Sequence, residues 1–105
     1  MATNISALAS DFGCSVDDIK MMLSDILSST NEMVSTIEFL ISTDDCDSIT
    51  TVVDMIKSKI DHFHLNDIDS SLDALAVSAS SKDISACNEN FAQLKTSVAE
   101  LQAIV

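Results

Sequence analysis

The sequence predicts an all-α fold: an antiparallel up-and-down four-helix bundle with a short extra helix at its N-terminal end. Three observations carry the prediction. Among 105 residues there is no proline and a single glycine, Gly13, so the chain lacks the turn residues that a succession of short strands needs. Hydrophobic residues make up 47% but aromatics only 4%, with no Trp or Tyr, so the core must be aliphatic. Apolar residues also recur at threes and fours over long runs, the period of an amphipathic helix. The length sets one domain, residues 1–105.

The helices can be placed in order. Residues 4–12 form a short first helix, and Gly13 follows where a left-handed C-cap belongs. Ser15 is the next N-cap, with Asp18 three residues on as the acid of a capping box. Asp17 and Asp18 suit the positive end of the helix dipole. From Val16 to about Ile41 the chain reads as one long helix, with Ile19, Leu23, Ile26, Thr30, Met33, Ile37 and Leu40 as its apolar series. Ser28 to Asn31 are weak helix formers and mark a bend or break. Thr43 to Asp45 make a turn, and Asp45 or Asp47 caps a third helix that ends near His62–His64. Asn66 or Asp67 caps the fourth, whose apolar positions are Ile68, Leu72, Leu75, Ala76 and Ala79. Ser80 to Asp83 form a loop, Asp83 caps the last helix, and Ile84, Cys87, Phe91, Leu94, Val98, Leu101 and Val105 form its seam. That regular seam suits a dimer as well as an intrachain core, so the oligomeric state stays open.

Charge excludes several partners. Five basic and 17 acidic residues give a net charge of −12, which repels phosphate backbones and anionic membrane surfaces. Neither nucleic acid nor membrane is therefore expected as a partner. No run approaches 18 uncharged apolar residues. The start of the chain lacks the basic and apolar segments of a signal peptide, so a cytoplasmic location is expected. Cys14, Cys46 and Cys87 fit neither a disulfide framework nor a zinc pattern and read as free thiols acting as small hydrophobes.

The stretch from Asp45 to Leu65 concentrates the candidate functional residues. At 100° per residue, Ile49, Val52, Val53, Ile56, Ile60 and Phe63 fall on one side of the helix. Asp47, Thr50, Thr51, Asp54, Lys57, Ser58 and Asp61 gather on the other. The first set is a packing seam, and the second is a polar stripe free to meet a partner. Met55, about 100° from Asp54, borders the stripe as an apolar contact or packs at the rim. Met21, Met22 and Met33 read as core or rim residues.

Asp54-Met55-Ile56-Lys57-Ser58 resembles the central motif of histidine-containing phosphotransfer (HPt) domains, roughly H-x-L-K-G. Ile56 takes the apolar position and Lys57 the lysine. Asp45 lies nine residues before Asp54, as an acidic cap commonly does in that family. Phe63 and Ile68 fall at its apolar positions downstream. The resemblance spans residues 5–105 and implies a four-helix bundle with a short N-terminal helix. It also departs from the family at the chemistry. Asp54 replaces the phospho-accepting histidine, Ser58 the glycine beside it, and His64 a further glycine after the helix.

The resemblance therefore implies a signalling module of a two-component phosphorelay that binds a response-regulator receiver domain or a histidine kinase without carrying phosphate. It has no catalytic residue and no cofactor. Lys57 either guides a phosphate or carboxylate of the partner or pairs with Asp54 or Asp61. The alternatives are an active carrier using His62 or His64, and a small acidic helical adaptor or chaperone. His62 and His64 otherwise read as a helix end favoured by the dipole. Their spacing with Asp61 and Asp67 is too common to assign a metal.

Overall fold

The computed structural model describes residues 4–105. They form five α-helices: α1 (Ile5–Phe12), α2 (Val16–Ser42), α3 (Cys46–Ile60), α4 (Asn66–Ser80) and α5 (Ile84–Ile104). A 3-10 turn, Asp61–Phe63, follows α3, and no strand occurs among the described residues.

Three of the four links are built alike. The chain leaves the helix through a residue of positive φ: Gly13 at 67°, Asp44 at 57° and Lys82 at 57°. The next amide reaches back across the last turn, Cys14 N to Ala9 O (3.0 Å), Asp45 N to Leu40 O (2.9 Å) and Asp83 N to Ser78 O (3.0 Å), which satisfies a carbonyl the helix end leaves open. A side-chain cap then starts the next helix. Ser15 accepts from Asp18 N (3.1 Å), Asp45 from Ser48 N (3.2 Å) and Asp83 from Ala86 N (3.1 Å). Each such cap contributes about 1 kcal/mol. Of the two candidates for α3, Asp45 is the cap.

The fourth link departs from expectation. After the 3-10 turn, His64 adopts φ 51°, and Leu65 stands at the N-cap of α4 with no side-chain bond. Asn66, expected as a cap with Asp67 as the alternative, is already helical. Leu65 is 1% exposed. Burying a leucine contributes about 1.5–3 kcal/mol, more than the roughly 1 kcal/mol of a polar cap, so core packing decides the residue here.

Helix α2 has 27 residues and at 1.5 Å per residue spans roughly 40 Å, close to the 42 Å long axis of the protein. α1 packs on α2, α3 lies between α2 and α4, and α5 lies between α4 and α2. The inward face of α2 is Ile19, Leu23, Leu27, Thr30, Val34, Ile37 and Ile41. Ile26, Met33 and Leu40, expected in that seam, lie at its half-buried edge. The seam is thus turned by one residue at three of its positions. α2 runs unbroken through Ser28 to Asn31, because Thr30 is itself a buried packing residue and tertiary contact outweighs weak propensity.

The expected seams of the other helices are buried at most positions, with Val52 of α3, Ala76 of α4, and Ile84 and Val105 at the ends of α5 half-buried at the edge. Ile49, Val53, Ile56 and Ile60 of α3 are buried, as are Ile68, Leu72, Leu75 and Ala79 of α4. In α5, Cys87, Phe91, Leu94, Val98 and Leu101 are buried within the chain. Ser71, Ser78 and Ser97 are buried too. Ser71 and Ser78 return their hydroxyls to the carbonyls of Asp67 and Ala74. Asn90 of α5 donates to Ala74 O (3.2 Å) and to Ser78 Oγ (2.5 Å), so the α4–α5 contact is held by small and polar side chains as well as by apolar ones.

Candidate functional site

The polar stripe of α3 lies on the surface, opposite the buried seam of the same helix. Asp47, Thr51, Asp54, Ser58 and Asp61 are exposed, and Thr50 and Lys57 are half-buried. Asp61 belongs to the 3-10 turn rather than to α3. A wheel drawn at 100° per residue therefore does not extend to Asp61 and His62. Thr50 donates its hydroxyl to Asp47 O (2.7 Å), and Thr51 does the same at 3.5 Å. Those protons are turned back onto the helix, which leaves the threonine oxygens as acceptors toward solvent.

Lys57 has a partner that the sequence did not disclose. Its ammonium pairs with Asp73 of α4, in place of Asp54 or Asp61 on its own segment. That hydrogen bond raises the Lys57 pKa above the ordinary 10.5, the Asp69 and Asp54 carboxylates act in the same direction, and burial opposes them. Asp69 lies one turn before Asp73. Its own pKa is raised above 3.8, first by burial and then by the nearby Asp73 and Asp61 charges, while Lys57 and His64 pull it down. The stripe of α3 is thus one half of a two-helix surface, completed by Asp69 and Asp73. The i, i+4 spacing placed those two on one face of α4. Their meeting with Lys57 depends on the rotation of α4 against α3, for which one helix's periodicity gives no signal.

The remaining candidates are at the margin. His62 and His64 are both exposed. Met55 is 51% exposed beside Asp54, and Val77 on α4 is 67% exposed. Met21 and Met22, expected at the core or rim, are exposed, Met21 to 68%, because α1 and α3 cover other faces of α2. Cys46 and Cys87 are buried, and Cys14 is only half-buried.

Among the described residues, no three His, Cys, Asp or Glu side chains converge as ligands for a metal ion. No helix there is long and apolar enough to cross a membrane. A separate groove of about 560 Å³ runs between α2 and α5, lined in part by Phe91 and Lys95. It contains none of the stripe residues. No protein-family model matches the chain, and comparison with curated proteins and with solved structures found no match.

Proposed function

We propose that this chain is an HPt-like signalling module that docks on a response-regulator receiver domain or a histidine kinase without carrying phosphate. The order of helix contacts supports an antiparallel four-helix bundle. α2 touches α3, α3 touches α4, α4 touches α5, and α5 closes on α2, with short links reversing the chain between them. The small α1 leans on α2. His64, where the resemblance places a glycine, has the left-handed backbone that glycine favours.

One observation carries the functional part. The side chain presented at the middle of α3's exposed face, where the family presents an imidazole, is the carboxylate of Asp54. A carboxylate takes a phosphoryl group readily when an acidic pocket and a divalent cation gather around it. Asp54 stands on an open helix face, and the lysine of the motif is tied to Asp73 rather than left to meet a phosphate. The surface keeps a shape and a charge pattern for docking and lacks the acceptor nitrogen for transfer.

The test is to mix the protein with a phosphorylated receiver domain, measure binding, and recover the protein under conditions that preserve phosphohistidine. Binding without transfer is the expected result. Acid-labile phosphate on His62 or His64 would replace it with the carrier function. Absence of binding to any receiver or kinase would leave the adaptor or chaperone role.

A further inference from the structure

We infer that this chain forms a symmetric dimer, with the face shared by α2 and α5 as its interface and a second copy of the chain as the occupant. The inference goes beyond the docking proposal and does not rest on it, because α2 and α5 lie across the bundle from the α3–α4 surface. The two helices meet along a line. Near one end, Lys20, Met21 and Asp25 of α2 form a shallow groove with Val105. In the middle, the Asn31 amide reaches Gln102 at 3.5 Å. Near the other end the groove of about 560 Å³ opens, with Ile41 and Phe91 buried in its floor, Glu38 on its α2 side and Lys95 on its α5 side.

Charge selects the occupant. The chain carries a net charge of −12, so two copies repel each other wherever acidic faces meet. On the α3–α4 surface Asp54, Asp69 and Asp73 surround Lys57. The groove between α4 and α5 holds Asp67 and Glu100 and no lysine. A cleft at the starts of α3 and α5 sets Asp44, Asp45 and Asp47 against Lys82. Along α2 and α5 the balance is even, with Lys20 and Asp25 in one groove and Lys95 and Glu38 in the other. The Lys95 ammonium lies over the Phe91 ring, 5.6 Å from its centroid, and no carboxylate among the described residues pairs with it. A basic partner is drawn to the acidic faces. A face of balanced charge suits a partner that is itself acidic, and a second copy brings the matching pattern. A two-fold axis through the larger groove sets Glu38 of each copy against Lys95 of the other.

The same face carries apolar anchors. Met21 is 68% exposed and Phe39 65%. They stand about five turns apart and so share one side of α2. Phe and Met are enriched at interface cores, where charge is depleted. Phe39 follows Glu38 at the lip of the larger groove, and its ring, seated against Phe91 of the second copy, removes about 150–250 Å² from water. The protein measures 42 by 22 by 21 Å, so one long side has room for the roughly 800 Å² per copy of a specific interface. The α3–α4 surface stays free in such a dimer.

The experiment measures molecular mass by sedimentation over a range of concentrations, at low and high salt. It compares the full chain, Phe39→Ser, Lys95→Glu, Glu38→Lys and an equimolar mixture of the last two. All three changes fall at exposed positions, and circular dichroism checks that each variant stays helical. The expected result is a concentration-dependent dimer of the wild type that tightens with salt, because salt screens the repulsion between two acidic chains. Each single variant should dimerise about tenfold more weakly or worse, Phe39→Ser by losing the anchor and the reversals by setting like charges opposite. Mixing Lys95→Glu with Glu38→Lys should restore the dimer, because one copy then presents two acids and the other two lysines. The inference is overturned by a monomer at every concentration up to about 1 mM, by a dimer that no variant weakens, or by a mixture that stays monomeric.

Discussion

The ammonium of Lys57 on α3 is paired with the carboxylate of Asp73 on α4. The side chains keep 37% and 63% of their accessible surface, so water and salt screen the attraction. An exposed pair of this kind contributes about 0.2–1 kcal/mol. A double-mutant cycle with Lys57→Met and Asp73→Asn should return a coupling in that range, smaller at high ionic strength. The sign of the pH effect follows from the raised Lys57 pKa. The folded state holds the proton more tightly, so the contribution is complete below the ordinary value of 10.5 and is lost as pH rises through the folded-state value. Denaturant midpoints of wild type and Lys57→Met should therefore converge at alkaline pH. A difference that persists there would assign the effect to packing of the lysine stem.

Asp69 behaves in the opposite sense. Its raised pKa, owed first to burial, means that the folded state binds a proton more readily than the unfolded chain. The charged form is thus held at a cost to stability at neutral pH, and that cost is relieved as pH falls through the folded-state value toward 3.8. Asp69→Asn should raise the melting temperature slightly at neutral pH. The gain should vanish below the ordinary aspartate value. Equal melting temperatures at neutral pH would show that the position at the start of α4 favours the charge enough to offset burial.

What could be foreseen from the chain alone was local. Gly13, Ser15, Asp45 and Asp83 act within one turn of their own positions, so their roles follow from residue type and spacing. The seam of α5 was legible because Cys87, Phe91, Leu94, Val98 and Leu101 recur at threes and fours, and that of α3 because Ile49, Val53, Ile56 and Ile60 do the same. α2 was harder to read because Ile26 and Leu27, Met33 and Val34, and Leu40 and Ile41 are adjacent apolar pairs. Which member points inward is set by α1, α3 and α5 together, not by α2. Leu65 at a cap and Thr30 in the core are cases where burial outweighs local preference. On the candidate surface, the polar stripe from Asp47 to Ser58 was predictable from the wheel. Its completion by Asp69 and Asp73 was not, because it depends on how two helices are rotated against each other.

Thr30 supplies a stability test. Its side chain is buried, and its hydroxyl has no hydrogen-bond partner. A buried polar group left unsatisfied costs about 1–3 kcal/mol. Thr30→Val keeps the shape and removes the polar atom, so unfolding in denaturant should require about 1 kcal/mol more, at unchanged slope. A destabilised variant would mean that the hydroxyl is hydrogen-bonded to buried water.

Ile56 tests the core beneath the stripe. It is fully buried on the inward side of α3, two residues from Asp54. Ile56→Ala should cost about 2–5 kcal/mol through lost burial and the cavity left behind, a large share of the roughly 5–15 kcal/mol typical of a domain. An unchanged denaturant midpoint would place Ile56 outside the core.

The docking surface is tested by reversing charge at its centre. Asp54 is exposed, and exposed substitutions usually change stability by no more than about 0.5 kcal/mol. A large effect of Asp54→Arg on binding would therefore report contact with the partner rather than unfolding. The control must carry the same change of charge outside the surface. Asp73, although on another helix, is unsuitable, because its carboxylate holds Lys57 and its loss would alter the stripe. Glu89 is exposed on α5, the helix diagonal to α3, and meets the requirement. If the face of α3 docks on a receiver or kinase, Asp54→Arg should weaken binding by at least about 1–2 kcal/mol, roughly five- to thirtyfold, and Glu89→Arg by much less. Asp73→Asn should give an intermediate loss, because it frees Lys57 without reversing the charge at the centre. Equal binding by the wild type, Asp54→Arg and Glu89→Arg would move the interface away from α3 and leave the HPt resemblance as one of fold alone.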